Sequence, residues 1–501
     1  MHSDRRCKGN FLEKEDEILM RQGLPKSNEV VIAGENAAAV PKKWDKEADL
    51  VIVGTGFAGL AATLTARELG LSVLLLEKMP VAGGNSIIAG GGANAVDPLR
   101  QKRQGIEDSI DLHFSQTMAG GDNINDPDKV RYMVDHALAD CINYLEHLGV
   151  IWPDKVVRGF GSLYERTHYL GTYTDRQGKK WTHGAANIRA MLDQMKKIGQ
   201  EILFRHKITR IIREKPLDGS VLGVEADTSG ARQSFKARKG VILASGGFGA
   251  NLEWVVKHDC RLANTATSNH RGATGECIKL AEDIGADTLH MDYIQAIPHE
   301  VRAPFKAMFF QIESAEVRKV SNSMPYRIFV NREGNRFVDE GARRDVIKFA
   351  GCAQPLFEPM KRIEADSIEE LESKLGLPKG SLTETVKKYN TACETGKDWE
   401  FGKDPTILTP LKAGPFRAIS KAIMRHHTMG GLLVKGTTGQ VIDRWGKVIP
   451  GLFAAGEVTG GTHGVNRLGH NATVDCLVFG QLCAKTVAQV NVPSSTSEVQ
   501  V

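Results

Sequence analysis

The sequence predicts an α/β protein: a Rossmann-like nucleotide-binding domain, discontinuous in sequence, with an inserted α+β capping domain. Three observations carry this. The stretch at 49–78, DLVIVGTGFAGLAATLTARELGLSVLLLEK, reads as strand, glycine turn, helix and second strand. A second apolar strand ending in glycine and an acid, GLFAAGE, stands at 451–457. Between them, from about Pro298, the texture changes, and capping boxes at Ser367 to Glu370 and Ser381 to Glu384 open helices over 368–375 and 382–394. The expected organisation is an N-terminal extension (1–46), a first cofactor-domain segment (47–297), the capping domain (298–424), a second cofactor-domain segment (425–488) and a tail (489–501).

The first stretch is nearly a complete chemical specification. Residues 50–53 form a short apolar, β-branched run of the kind a buried parallel strand needs. Gly54, Gly56 and Gly59 supply the G-x-G-x-x-G spacing: one glycine for the tight turn, one for approach of backbone to a pyrophosphate, one for packing helix on strand. A helix over 58–69 follows, with Phe57 and Ala58 at its entrance, and its free N-terminal amides suit a diphosphate. Gly70 ends that helix, 72–76 forms the next strand, and Glu77 closes it with Lys78 alongside. A carboxylate there, about 20 residues beyond the glycines, is placed to accept hydrogen bonds from a ribose. The unit asks for a dinucleotide.

Nicotinamide or flavin is decided downstream. The glycine-dense stretch 81–96 (Gly83, Gly84, Asn85, Ser86, then Gly90, Gly91, Gly92) reads as a loop whose backbone lies against a flat ligand. The buried strand at 239–249, KGVILASGGFG, returns Ala244, Gly246 and Gly247 to the same place, and GLFAAGE returns Gly456 and Glu457. Distant glycine-rich segments on one nucleotide suit a long, buried flavin better than a nicotinamide that comes and goes.

Composition excludes other classes. With 65 basic against 60 acidic residues, the net charge of +5 is spread along the chain, which is no nucleic-acid footprint. No segment reaches the ~20 apolar residues of a membrane span, and Arg5-Arg6 lacks an apolar stretch behind it, so a secretion signal is not expected. The eight cysteines, Cys7 among them, show neither C-x-x-C nor C-x-x-C-H spacing. They read as reduced thiols of a cytoplasmic protein, with no haem, iron–sulfur cluster or metal site. Further helices are expected over 126–149 and 187–198, and strands over 202–204, 208–212, 221–226 and 233–237. DTSGA at 227–231 lies in the last hairpin and continues with Arg232, not the small hydroxyl residue of a covalent FMN site.

AGGNS at 82–86, SNHRGATGE at 268–276, VNREGNRF at 330–337, HHTMGG at 426–431 and GEVTGGTHGVNRLGHNA at 456–472 resemble the flavoprotein subunits of fumarate reductase and succinate dehydrogenase, above all the soluble fumarate reductase and urocanate reductase branch. The resemblance covers roughly 47–488. It implies FAD, contacted also by Asn471 and Ala472, and held non-covalently, since the stretch near Ser86 lacks the histidine that membrane-complex relatives use for attachment.

The resemblance also implies a site. Arg467 and His427 would hold a carboxylate, the arginine bidentately and the histidine by one charge-assisted bond, with His426 a supporting neighbour. Arg344 would protonate the substrate carbon; an ordinary guanidinium titrates near 13, so it needs a relay. Glu316 and Arg318 in ESAEVRK are the candidates, one residue off the family's spacing, with Glu313 competing. Arg343 reads as a surface or interdomain charge. Where fumarate reductases have Gln-Ala-His-Pro, with the histidine gripping a second carboxylate, this chain has Gln295, Ala296, Ile297, Pro298. Isoleucine cannot donate a hydrogen bond, so a dicarboxylate fits badly unless His299 compensates by a shifted loop.

The expected function is therefore FAD-dependent reduction of the activated double bond of an α,β-unsaturated monocarboxylate. The alternative is a dehydrogenase of a ketosteroid-like or other ketone or acyl substrate, and a non-catalytic flavoprotein subunit is the alternative of another class. No second nucleotide unit for NAD(P)H is found, so a separate electron donor is expected: a reductase, reduced flavin, or a quinone or cytochrome partner.

Overall fold

The computed structural model describes residues 40–228, 230–320 and 324–490. The extension up to residue 39, with Arg5, Arg6 and Cys7, and the tail from 491 lie outside them.

The strand Lys46–Val53 sits at the centre of an eight-stranded sheet. It pairs in parallel with Val73–Glu77 on one side and Ala231–Leu243 on the other, and Ile202–Phe204 and Val448–Ala454 extend the parallel array. Side chains alternate between faces of a strand. Leu50 and Ile52 enter a core shared with Leu60, Leu64, Met133, Met191 and Phe479, while Val51 and Val53 enter another with Phe235, Val241 and Ile423. The run is apolar at every position because helices or sheet cover both its faces, and each such side chain contributes about 1.5–3 kcal/mol on burial.

The helix Phe57–Glu68 packs against the last helix, Asn471–Ala488, where a Cβ on Gly480 would stand 2.4 Å from the Ala58 carbonyl oxygen. The chain's two ends thus build one domain, as the split motif implies. The expected helix over 126–149 is one rod in three pieces: α over Pro127–Ala137, a π segment over Leu138–Asn143, and α over Tyr144–His147. Gln481 of the last helix donates to the Asp140 carbonyl at 2.6 Å, an inserted side chain of the kind that opens a π turn. The stretch 81–96 is less of a loop than its glycines suggest. It contains a short helix, Gly84–Ile88, entered through Gly83 at φ 114°, and a strand, Ala93–Asn94.

The capping domain is built on a six-stranded sheet around the 13-residue strand Phe416–Thr428. Its first half pairs with Phe309–Ser314 and Ile363–Ala365, its second half with Ile294–Glu300 and Ala266–Thr267. The expected boundaries at 297/298 and 424/425 both fall inside these strands, which run from one domain into the other. A third core, with Phe310, Ile312, Leu371, Leu382 and Tyr389, fills the space under the helices Ile368–Leu375 and Ser381–Thr395.

The first capping box forms with one change of partner: Ser367 Oγ accepts from Glu370 N at 3.1 Å, and Glu370 reaches back to Asp366 N at 2.9 Å. The second does not form. Ser381 already lies in its helix, and the amides of Gly380, Leu382 and Thr383 are taken by the carboxylate of Glu372 from the preceding helix. A charged acceptor satisfies several orphan amides at once and outcompetes a hydroxyl.

Candidate active site

A cavity runs along the carboxyl ends of the parallel strands. Of the residues the sequence points to, Gly54, Gly56, Phe57, Ala58, Glu77, Lys78, Gly84, Asn85, Ser86, Ala244, Gly246, Gly456 and Glu457 line it. Gly54 turns at φ 104°, and a Cβ there would stand 2.4 Å from the Ala244 carbonyl oxygen. The helix Phe57–Glu68 starts without a side-chain cap or an acid in its first turn, which leaves its positive end open to an anion. Only Phe57 N is engaged, by Ser86 Oγ at 3.0 Å. Glu77 accepts at Oε2 from Thr55 N at 3.1 Å and Thr55 Oγ1 at 2.5 Å and at Oε1 from Met79 N at 2.8 Å, which fixes its carboxylate at the strand end and leaves acceptor capacity on Oε1 for a ribose hydroxyl. Lys78 is tied to Glu276 at 2.7 Å.

The remaining predicted cofactor residues are not among those lining this cavity. Gly59 packs against the Gly54 carbonyl, and Gly83 turns against Ile87. Gly91 and Gly92 meet protein, not an open face: a Cβ would stand 2.3 Å from Gly184 N and 2.7 Å from the His470 ring respectively, and Gly90 faces the Tyr169 ring. Gly247 lets Thr428 and Glu457 approach, where Glu457 accepts from Thr428 N at 3.0 Å. Asn471 is held in a buried amide cluster by Asn94 Nδ2 at 2.8 Å, and Ala472 follows it in the first turn of the last helix. Cavity residues missed from the sequence are the segment His206, Lys207 and Ile208, with Ser245, His270, Cys277 and Cys476. His270 belongs to the SNHRGATGE segment, which could have pointed to it; the others carry no local signal.

Next to this cavity the two domains bring Arg344, Arg467 and His427 together. Arg344 opens the helix Arg344–Cys352, Arg467 sits in the loop before the last helix, and His427 lies near the end of the long capping strand. The unforeseen element is Gln295, opposite His427 in the sheet. Its amide oxygen accepts from Arg344 Nη1 at 2.9 Å and from Arg467 Nη2 at 2.9 Å, while its nitrogen donates to the Arg467 carbonyl at 2.9 Å. Arg344 also donates to the Phe160 carbonyl at 2.6 Å, and its guanidinium lies 4.7 Å from the Phe160 ring centre. Gly161, at φ 74°, leaves room for it: a Cβ there would stand 2.5 Å from Arg344 Nε.

Both guanidiniums are buried, at 6% and 5% exposure, and among the described residues no carboxylate forms an ion pair with either. Burial holds Arg344 well below the ordinary arginine value, with Arg467 adding to the effect, and burial brings Arg467 down to about 10. Burial likewise pushes His427 well below its usual value, reinforced by Arg467 and His463. That shift favours the neutral imidazole, whose ring N–H can still donate to an ionised carboxylate. His427 Nδ1, Arg344 Nε, Arg467 Nε and both ring nitrogens of His463 are buried without partners, and the His463 ring stands 5.3 Å edge-on to His427. Such a set of desolvated donors suits an anion.

The expected relay does not reach this cluster. Glu316 is exposed, and Arg318 stands 3.8 Å from Glu313, which Arg327 and Arg417 also hold. Glu313 is opposite Arg417, and ten residues of strand at about 3.3 Å each put it roughly 30 Å from His427. Arg343 joins the domains, pairing with Asp122 and, at 2.9 Å, with Asp345. Ile297 is buried on the same strand face as Gln295, opposite Met424, and His299 follows on that face with its ring 6.1 Å from His426.

Residues 49–473 match the family described as FAD binding domain. The chain is 34% identical over 492 residues to the NADH:fumarate oxidoreductase of Klebsiella pneumoniae, covering 93% of this chain and 50% of that one, so it spans about half that relative's length. It is 32% identical over 479 residues to the urocanate reductase of Eggerthella lenta, covering 89% of this chain and 76% of that one. The open conformation of a flavocytochrome c3 fumarate reductase superposes with a TM-score of 0.70 at 32% identity, over 89% of this chain and 78% of the other. The open helix terminus, the glycine turn and the ribose-side acid fit FAD, and the chain belongs to the FAD-dependent fumarate reductase and succinate dehydrogenase flavoprotein family, on its fumarate reductase and urocanate reductase branch.

Proposed function

We propose that this protein reduces the activated carbon–carbon double bond of an α,β-unsaturated monocarboxylate. The observation that carries the reading is the pair of buried guanidiniums, Arg344 and Arg467, joined by one amide oxygen of Gln295 with no acid ion-paired to either among the described residues. Bound FAD, once reduced, supplies the hydride that the β carbon of the enoate accepts. Arg467 holds the carboxylate, His427 donates to it as a neutral imidazole, and together they stabilise charge that develops there during reaction. Arg344 holds the proton for the α carbon. Its lowered affinity for that proton, from burial beside Arg467, makes it a better acid than a guanidinium in water. The proton from Arg344 would complete the new C–H bond at the α carbon, and with the hydride pair that the bound cofactor would supply at the β carbon the double bond would be saturated.

Ile297 supports a monocarboxylate, since a second ion against it would be desolvated without a partner. The test is anaerobic reoxidation of photoreduced protein by a panel of acids. Cinnamate-type or acrylate-type acids are expected to reoxidise the flavin and fumarate to be at least about tenfold slower, with Ile297→His narrowing that gap. Fumarate as the fastest oxidant would overturn the reading of Ile297.

Electrons are proposed to come from a separate donor, and FAD to be held without a covalent bond, since the stretch near Ser86 lacks the histidine by which membrane-complex relatives attach theirs. Anaerobic NADH alone is then expected to leave the flavin oxidised, and acid precipitation to leave all of it in the supernatant. Stoichiometric bleaching within seconds, or yellow precipitate, would reject the respective half. Among the described residues no helix is long and apolar enough to cross a membrane.

A further inference from the structure

The acid and the carboxylate clamp come from different domains: Arg344 opens a capping-domain helix, and Arg467 sits in the loop before the last helix of the cofactor domain. Their side chains meet at Gln295, but the spacing of their backbones depends on what holds the start of that helix against that loop. One turn of the cofactor domain touches both.

The turn is at 120–123, where the helix Ile110–Gly120 ends. On one side it lies along the loop 461–468. Gly121 O accepts from Val465 N at 3.2 Å, a Cβ on Gly464 would stand 2.2 Å from that same oxygen, and a Cβ on Gly120 would stand 2.7 Å from the Leu468 side chain. Just beyond, Asn125 Nδ2 donates to Thr462 O at 2.9 Å and Asp126 N to Gly461 O at 2.9 Å. On its other side the turn presents Asp122, which with Asn123 takes left-handed φ values of 58° and 59°, a conformation that Asp and Asn tolerate better than other side chains. The Asp122 carboxylate accepts from both terminal nitrogens of Arg343, from Nη2 at 3.3 Å. Arg343 is the N-cap of the Arg344 helix, and it also donates to Asp345 in the first turn, from Nε at 3.1 Å and Nη2 at 2.9 Å. The contacts therefore run from the Arg467 loop through the turn, Asp122 and Arg343 to Arg344.

We infer that Asp122 and Arg343 are positioning residues, whose ion pair holds the start of the Arg344 helix against the Arg467 loop and so fixes where the proton of Arg344 stands relative to a carboxylate on Arg467. This rests on the roles proposed above for Arg344 and Arg467. The side chains of Arg343 and Asp122 are 35% and 49% exposed, so the pair adds little to stability. Its effect is geometric, because a displacement of about 1 Å between reacting groups can cost about 10²-fold in rate. Exposed charges are screened by salt, so the effect should weaken as ionic strength rises.

The experiment is anaerobic reoxidation of the photoreduced holoenzyme by cinnamate or acrylate, whichever oxidises the parent protein faster, read as a limiting first-order rate and a half-saturating concentration. Asp122→Asn suits the left-handed turn and removes only the charge. It is expected to lower the limiting rate by about tenfold, with the half-saturating concentration within about twofold and FAD content and melting temperature unchanged. Arg343→Gln should give the same loss, the double variant no more than either, and Arg343→Lys, which keeps the charge, should retain part of the rate. Raising NaCl to about 0.5 M should slow the parent and leave Asp122→Asn as it was. In an Arg344→Gln background Asp122→Asn should cost nothing further, since the group it positions is gone. Parent-like rates in both single variants, or a tenfold loss that persists in the Arg344→Gln background, would overturn the inference while the enoate reading stands. Failure of both acids to reoxidise the parent would remove the enoate reading itself, and the inference with it.

Discussion

Arg344→Gln is expected to lower kcat for enoate reduction by about 10³-fold, with FAD content and melting temperature close to those of the parent protein. A positioned general acid contributes about 10²–10⁴-fold, and Arg344 is the donor the proposed function assigns to the α carbon, Arg467 and His427 being engaged with the carboxylate. The fold should tolerate the change because the buried charge that is removed has no ion-pair partner. Glutamine can still meet the amide of Gln295, although it leaves the Phe160 ring without its cation. KM should move much less than kcat, since the carboxylate is held by Arg467 and His427. The pH profile supplies a second reading. Burial and Arg467 lower the proton affinity of Arg344, so as pH rises through that lowered value the acid form is lost and kcat falls on the alkaline side. In Arg344→Gln this limb should vanish along with the rate. A variant within tenfold of the parent, with the same alkaline limb, would mean that another group delivers the proton.

What was legible in the sequence was local. The glycine turn, the strands flanking it and Glu77 are specified within thirty residues, and each position does what its residue type demands: Gly54 and Gly59 sit where a Cβ would strike backbone. The helix over 368–375 was readable to the residue because its serine cap and apolar period are contiguous. What failed depended on partners distant in sequence. Ser381 looks like a cap only if Glu372 is ignored. Glycines at 91 and 92 signal close approach, but the sequence does not say that Gly184 and His470 are what approaches. Glu316 and Arg318 carry the right residue types, yet the register of a 13-residue strand sends them to the far end of the capping sheet. Gln295 shows the reverse case. An uncharged residue gives no reason to be singled out, and only the sheet, by setting it opposite His427, makes it the hinge between two arginines.

The position of Arg467 leads to an opposed pair of effects. In the free protein its guanidinium is buried beside Arg344 and lacks an ion-pair partner among the described residues, at a cost of several kcal/mol for such an ion before the hydrogen bonds to Gln295 and Leu468 offset some of it. Its proton affinity falls accordingly, to about 10. The sign follows from that depression: between this value and the ordinary arginine value the unfolded chain keeps the proton and the folded one does not, so the charge opposes folding at neutral pH and the penalty is relieved above about 10. A bound carboxylate relieves the same penalty at neutral pH by neutralising the pocket. An unsaturated acid, or its saturated product, is therefore expected to raise the melting temperature of the holoenzyme, by RT ln(1 + [L]/Kd) in free-energy terms. Arg467→Met removes the buried charge and keeps the volume. It is expected to melt no lower than the parent, to lose the thermal response to added acid, and to reduce enoates with kcat/KM down by about 10³-fold, the scale of losing a buried, bidentate charge pair with substrate. If the methionine variant unfolds several degrees earlier and still responds to the acid, Arg467 is a brace for the loop before the last helix, and the anion is held elsewhere.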